Sequence, residues 1–273
     1  RVKRSMAKLN LGLYWAASCG GCEIAVVELR EKILDLDAAA NIVFWPVAVD
    51  AKYKDVKAMP DGFMDVCLFN GAIRNSENEE MAHLLRRKAK VLVAFGSCAY
   101  EGCIPGLANL FDKQSILNRA YLEVPSVDNP EGIIPQPVTR LPEGEVEIPE
   151  FYNTVRTLSQ TVDVDYCLPG CPPEAHQIWA VIEAILAGAL PPKGSVVGAY
   201  QKSVCDECKL VREEKKIKKF YRPHEIIPEA GRCLLEQGIV CAGPATRSGC
   251  GALCPTVNMP CRGCYGPPPN VID

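Results

Sequence analysis

The stretch from Cys205 to Cys264 constrains what this chain can fold into more than any other. It holds eight of the fifteen cysteines: Cys205, Cys208, Cys233, Cys241, Cys250, Cys254, Cys261 and Cys264. Two pairs are C-x-x-C, Cys205/Cys208 and Cys261/Cys264. Residues 250–255 run C-G-A-L-C-P, and a C-x-x-x-C-P spacing closes bacterial ferredoxin runs. Eight thiols make two complete four-cysteine sites. Taken in chain order, one site is Cys205, Cys208, Cys233 and Cys241, and the other is Cys250, Cys254, Cys261 and Cys264. Ferredoxin runs can lend their last cysteine to a neighbouring cluster, so spacing alone leaves this division open. From about Ser195 onward helical and strand periods fade, and glycine, proline and cysteine dominate. Bound metal is expected to stand in for a hydrophobic core there.

Composition separates metal from disulfides. Disulfide scaffolds are short secreted chains. This chain has 273 residues, 48% of them hydrophobic, which is enough for two domains with a buried core. The basic N-terminus, Arg1 to Asn10, is followed by no signal-type apolar core, and no run of eighteen apolar residues occurs. A cytoplasmic chain with metal-bound thiolates and a few spare thiols is expected. The formal net charge of −3 gives no global pull toward nucleic acid or an anionic membrane.

Upstream, strands alternate with helices. Leu9 to Ala16 reads as a buried strand, closed by Ser18-Cys19-Gly20-Gly21-Cys22. Glu23 to Leu36 carries apolar residues at helical spacing. Ile42 to Val49, Met64 to Phe69, Val91 to Phe95 and Val162 to Leu168 read as further strands, and Glu77 to Lys88 and Glu174 to Ala187 as helices. This alternation implies an α/β fold with a flavodoxin-like, doubly wound parallel sheet. Pro125 to Ile148 is dense in Pro, Gly and Glu and reads as a surface insertion. A boundary at Pro191-Pro192 separates this domain, residues 1–192, from a loop-rich domain, residues 193–273.

In an open α/β sheet, ligands sit outside the carboxyl ends of the strands. Four cysteines fall at those expected ends: Cys19 and Cys22, Cys98 in G-S-C-A, and Cys171 in P-G-C-P-P. They make a third four-thiolate site, suited to an iron–sulfur cluster or a structural zinc. Cys19/Cys22 alone would also suit a thioredoxin-like redox pair. Cys103 lies close enough to Cys98 to be a rival ligand, and Cys98 is preferred because it falls at the strand end. Cys67 and Cys167 lie inside strands, as small buried hydrophobes do. In the C-terminal part the ferredoxin-type spacing, and three sites in one chain that make sense as a conductor, favour iron–sulfur over zinc; at the strand ends the two further cysteines favour a cluster over a redox pair.

These motifs, with G-R-C-L-L-E-Q-G-I-V-C-A-G-P-A-T at 231–246 and M-P-C-R-G-C at 259–264, resemble the small subunit of a nickel–iron hydrogenase over nearly the whole chain. The resemblance implies three 4Fe–4S clusters in a row. Cys19, Cys22, Cys98 and Cys171 would hold the proximal one, Cys250, Cys254, Cys261 and Cys264 the medial one, and Cys205, Cys208, Cys233 and Cys241 the distal one. It implies two kinds of partner: a nickel–iron large subunit that splits hydrogen, and an electron-acceptor subunit, a flavoprotein or an iron–sulfur protein. No catalytic residue is expected in this chain, only an electron relay during reversible H2 oxidation. Cys205 stands where membrane-linked relatives carry histidine, and Cys254 where their medial cluster has proline. Such all-cysteine ligation lowers cluster potentials and is similar to the cytoplasmic, methanogen-type branch. Asn70 replaces a glutamate that many relatives carry. A few deazaflavin-reducing relatives use an aspartate as a proximal ligand; Asp55 is the nearest candidate, and with four cysteines available it is not favoured. The acceptor itself, whether deazaflavin, heterodisulfide, NAD(P) or ferredoxin, is not specified.

Other features have plainer readings. The basic run Lys209 to Arg222 reads as a solvated helix face. Tyr14 and Trp15 read as core, and His83 and His224 as structural or surface residues. His176 is placed to hydrogen-bond near a cluster sulfur. The alternatives in other classes are a structural zinc-binding interaction protein, an iron–sulfur relay of another complex, and the quinone-reductase subunit that shares the N-terminal fold. This last would lack the eight C-terminal cysteines.

Overall fold

The computed structural model describes residues 8–214 and 216–269. Most of the basic N-terminal stretch, and Lys215 of the basic run, lie outside the described residues.

Six parallel strands form the central sheet: β1 (Leu9–Trp15), β2 (Ala40–Phe44), β3 (Met64–Asn70), β5 (Ala89–Phe95), β9 (Tyr166–Leu168) and β10 (Ser195–Val196). Their spatial order is β10-β9-β5-β3-β1-β2. Ignoring strands outside the sheet, this is the flavodoxin-like 2-1-3-4-5 order with one strand added. Two short antiparallel pairs lie apart from it. One is β4 (Ile73–Asn75) with β8 (Phe151–Arg156), and the other is β6 (Val138–Leu141) with β7 (Gly144–Glu147). Helices α1 (Gly21–Val27), α2 (Lys32–Ala39), α3 (Tyr53–Ala58), α4 (Ser76–Lys88) and α8 (Ala175–Leu186) link the strands. Short helices α5 (Ser97–Glu101), α6 (Cys103–Gly106), α7 (Lys113–Asn118) and α9 (Leu253–Thr256) complete the set.

The strands are apolar on both faces because helices cover both faces of the sheet. Successive side chains point opposite ways. Leu13, Leu68, Val93 and Phe95 therefore join one core with Val26 of α1 and Ile178 of α8. Tyr14, Cys67, Phe69 and Leu92 join the other, with Met81 and Leu85 of α4. Each fully buried Leu or Phe contributes about 1.5–3 kcal/mol. Asp165 locks the start of β9: it accepts from the Leu92 amide at 2.8 Å and from Arg86 at 2.7 Å.

Several expectations change in detail. The single helix over 23–36 is two helices, because Arg30 turns left-handed at φ 55° and breaks the run. The strand over 42–49 stops at Phe44, just before Trp45-Pro46, where the residue preceding proline and the proline itself end the ladder. The strand over 162–168 is ordered as β9 only from Tyr166. The insertion at 125–148 is exposed, as its composition suggests, but it carries the β6–β7 hairpin. The run Lys209 to Arg222 forms no helix among its described residues. Instead Val211 makes a bridge to Arg232, which draws the backbone out into an extended path. Past Pro191-Pro192 the chain still adds β10 to the sheet, and Val197 joins the core.

Candidate metal centres

The strand ends build the first centre. The loops after β1, β5 and β9 leave the same edge of the sheet, with β3 between β1 and β5, and carry Cys19 and Cys22, Cys98 and Cys103, and Cys171. Close approach there demands glycine at residue 96: its φ is +82°, and a side chain would land on the Cys22 sulfur. Ser97 ties the loops together. Its amide donates to Gly170 O at 2.8 Å, and its Oγ accepts from the Gly170 amide at 3.1 Å. The same hydroxyl donates to the carbonyl of Cys264, which docks the C-terminal region on the sheet.

Burial, then the surrounding Cys171, Cys19, Glu23 and Cys103, push the Cys22 thiol well above its ordinary range. Cys171 is pushed up by its hydrogen bond with Cys103 and then by burial, while Arg262 opposes the shift from 3.9 Å. Cys103, set aside on sequence, thus faces Cys171 and also interacts with Cys98. Asp55 is occupied elsewhere: its carboxylate caps α3 by accepting from the Lys52 amide at 2.8 Å.

A buried polar group backs this centre. Glu23, next to Cys22, accepts from the Trp45 indole and from Asn70 Nδ2 at 3.4 Å. Burial raises its pKa, and those two donors hold it back. Asn70, noted in the sequence only as a departure, is therefore the partner of this carboxyl. Trp15 is not core: it is 41% exposed, donates to Ser18 O and packs over Gly20.

In the C-terminal region, hydrogen bonds rather than apolar packing shape the loops. The Glu207 carboxylate accepts from the Gly249 and Gly251 amides at 2.9–3.0 Å and so folds the chain around Cys250. Cys205, Cys208, Cys233 and Cys241 line one cavity of about 480 Å³, walled by Leu210 and Ile217 of the basic run. Gly243 leaves the room: a Cβ there would stand 3.2 Å from the Cys205 sulfur. Burial and then Cys241 push Cys205 up to about 11. Cys250, Cys261 and Cys264 form the remaining interacting group, with burial lifting Cys264 to about 12. Cys254 is exposed on α9. His176 meets the carbonyl of Gly249 at 3.3 Å rather than a sulfur.

The groups also touch one another in order. The Ser97 hydroxyl, beside Cys98, donates to the Cys264 carbonyl, and the Cys264 sulfur lies in the field of Cys171. The Cys261 amide donates to the Cys241 sulfur at 3.3 Å.

These donors fit a polynuclear iron–sulfur group. A tetrahedral zinc with Zn–S near 2.3 Å would draw its sulfurs to within about 4 Å of one another. Among the described residues no three Cys, His, Asp or Glu side chains converge so as to hold one ion. Cys205, Cys208, Cys233 and Cys241 instead surround open space. Also among the described residues, no helix is long and apolar enough to cross a membrane.

Comparison with known proteins agrees with this arrangement. The family model described as NADH ubiquinone oxidoreductase, 20 Kd subunit, matches residues 19–185. The iron-sulfur subunit of the F420-non-reducing hydrogenase of Archaeoglobus profundus is 45% identical over 97% of this chain and 84% of that protein. The corresponding F420-non-reducing hydrogenase subunit of Methanothermobacter marburgensis is 36% identical over 97% of this chain and 81% of that protein. A chain of an NAD+-reducing [NiFe]-hydrogenase in the H2-reduced state superposes with a TM-score of 0.58. It is 28% identical and covers 67% of this chain and 94% of that one. A chain of the Dm. baculatum [NiFeSe]-hydrogenase, at 15% identity and a TM-score of 0.57 over 97% of this chain and 96% of that one, shares the fold. The protein is a component of an oxidoreductase complex, and it belongs to the 20 Kd subunit family as a small subunit of the methanogen-type nickel–iron hydrogenases.

Proposed function

We propose that this chain relays electrons one at a time through three 4Fe–4S clusters. They would run between a nickel–iron large subunit and a flavin or heterodisulfide-reductase type acceptor subunit. The observation that supports this best is a pair of hydrogen bonds, from the Ser97 hydroxyl beside Cys98 to the Cys264 carbonyl and from the Cys261 amide to the Cys241 sulfur, which link the three cysteine groups in series. Residues 1–192 would hold Cys19, Cys22, Cys98 and Cys171 as ligands of the proximal cluster. Residues 193–273 would hold the other two, with Cys250, Cys254, Cys261 and Cys264 on the medial and Cys205, Cys208, Cys233 and Cys241 on the distal.

When bound, each cluster supplies reversible one-electron storage at a potential set by its ligands, hydrogen bonds and exposure. The chain's own residues do the rest. Thiolates and glycine turns fix the cluster positions, and the Cys261 amide places a neutral hydrogen-bond donor on the Cys241 sulfur of the next group. Leu210 and Ile217 line the distal cavity with apolar surface. The relatives are F420-non-reducing, and that property, carried over to this chain, argues against the deazaflavin F420 as acceptor. A cytoplasmic location is part of the same reading.

The test is anaerobic purification of the complex containing this chain. About twelve irons and twelve acid-labile sulfides per chain, three each of four-iron stoichiometry, are expected. Electron paramagnetic resonance should resolve three centres that H2 reduces. A colourless chain with stoichiometric zinc would overturn the proposal.

A further inference from the structure

The basic run beside the cavity of Cys205, Cys208, Cys233 and Cys241 has no part in holding a cluster. We propose that residues 209–222 are the docking surface for the electron-acceptor subunit, and that the face they receive is acidic. This inference rests on the function proposed above, and adds to it the surface and its chemistry.

Three observations carry it. The first is position. The start of the run is extended, so alternate side chains point opposite ways. Leu210 and Arg212 line the cavity, as does Ile217 further on, while Lys209, Val211 and Lys216 are exposed. A partner seated on the run is separated from the cavity by a single layer of chain.

The second is charge. Residues 209–222 hold seven Lys and Arg against two Glu, in a chain whose formal net charge is −3. Both glutamates are engaged, Glu213 with Arg232 at 3.4 Å and Glu214 with Lys218 at 3.5 Å. Among the described residues Lys209, Lys216 and Arg222 enter no ion pair. Positive charge left unneutralised by its own chain steers association with a negative partner surface.

The third is exposed apolar surface. Val211 and Phe220 within the run, and Ile227 just beyond it, are 56%, 59% and 96% exposed. Large apolar side chains among cations suit a protein interface better than a solvated face. An anionic membrane surface would be met by a basic amphipathic helix, and the described residues of the run form none.

The experiment uses the whole complex purified anaerobically, with iron counted per chain. Dissociation of the acceptor subunit, the flavoprotein or iron–sulfur polypeptide that co-purifies, is followed by native mass spectrometry. KCl is raised from about 50 to about 500 mM to screen exposed charge. The wild-type dissociation constant should rise at least about tenfold across this series. The triple variant Lys209→Gln, Lys216→Gln, Arg222→Gln should keep the wild-type iron count and bind the acceptor about tenfold more weakly at low salt, as three exposed charge pairs would give. Equal affinity in variant and wild type would overturn the inference. If the variant does not fold, the wild-type series decides: a dissociation constant unmoved by salt overturns it. Binding to phosphatidylcholine–phosphatidylserine vesicles that the variant loses, with acceptor affinity kept, would assign the run to a membrane surface and overturn it too. Wild-type complex without iron would instead sink the relay itself, so the two failures are distinguishable.

Discussion

The sheet and the C-terminal region reach order by different physics. Residues of the sheet and its helices bury two continuous apolar cores, one on each face. From residue 199 onward, prolines apart, the described chain buries only five apolar side chains: Val204, Leu234, Ile239, Ala252 and Tyr265. Its loops are held by Glu207, Gln237 and Thr246 hydrogen bonds and by closely approaching thiols. A core as small as that cannot offset the conformational entropy of some seventy ordered residues, at about 1–2 kcal/mol each. Metal–thiolate bonds are the natural remainder, since ligation free energy becomes folding free energy where the apo core is weak.

Stripping the metal breaks the comparison most sharply. Chelation under reducing conditions should abolish amide hydrogen-exchange protection across residues 199–269 while β3 and β5 stay protected. Equal loss in both regions would show that the sheet also depends on metal.

Next in size is a cavity in the sheet core. Phe95→Ala should destabilise the sheet by about 3–5 kcal/mol, read from the denaturation midpoint of the sheet region. The spectrum attributed to Cys205, Cys208, Cys233 and Cys241 should be unaffected.

Asp165→Asn should cost about 2 kcal/mol near neutral pH, because the buried carboxylate accepts a charge-assisted hydrogen bond from Arg86 and another from Leu92 N. Burial alone would raise the pKa of Asp165, but Lys193, Arg86 and the Leu92 amide outweigh it and lower the value. A depressed carboxylate stabilises the fold above its unfolded pKa of about 3.9. The wild-type advantage over Asp165→Asn should therefore be full near pH 6. It should shrink as pH falls through the lowered folded pKa, as measured by denaturation at each pH.

The smallest effect sharpens the join between the two regions. Arg262 places a cation 3.9 Å from the Cys171 sulfur. Arg262→Gln should lower the potential of the strand-end centre modestly in a redox titration, since lost positive charge favours the oxidised cluster. No shift would mean that the exposed guanidinium is screened by solvent.

Much of this was legible in the chain itself. Apolar runs ending in glycine and cysteine located β1, β3, β5 and β9 and their carboxyl ends, because period and turn chemistry are local properties. Elements set by distant partners were not legible. The β4–β8 pair and the path of Lys209 to Arg222 depend on neighbours far along the chain. Asn70 illustrates the limit: its place beside Glu23 follows from the β1–β3 pairing, not from any spacing.

By itself the sequence determined the fold class, the family motifs and the identity of the thiols, because cysteine spacing and hydrophobic period are written along the chain. Only the tertiary structure decided which thiols face one another. It drew Cys103 into the field of Cys98 and Cys171, docked Cys264 on Ser97 and joined Cys261 to Cys241. The physical reason is that strand order and loop docking, not sequence distance, set which sulfurs share a centre.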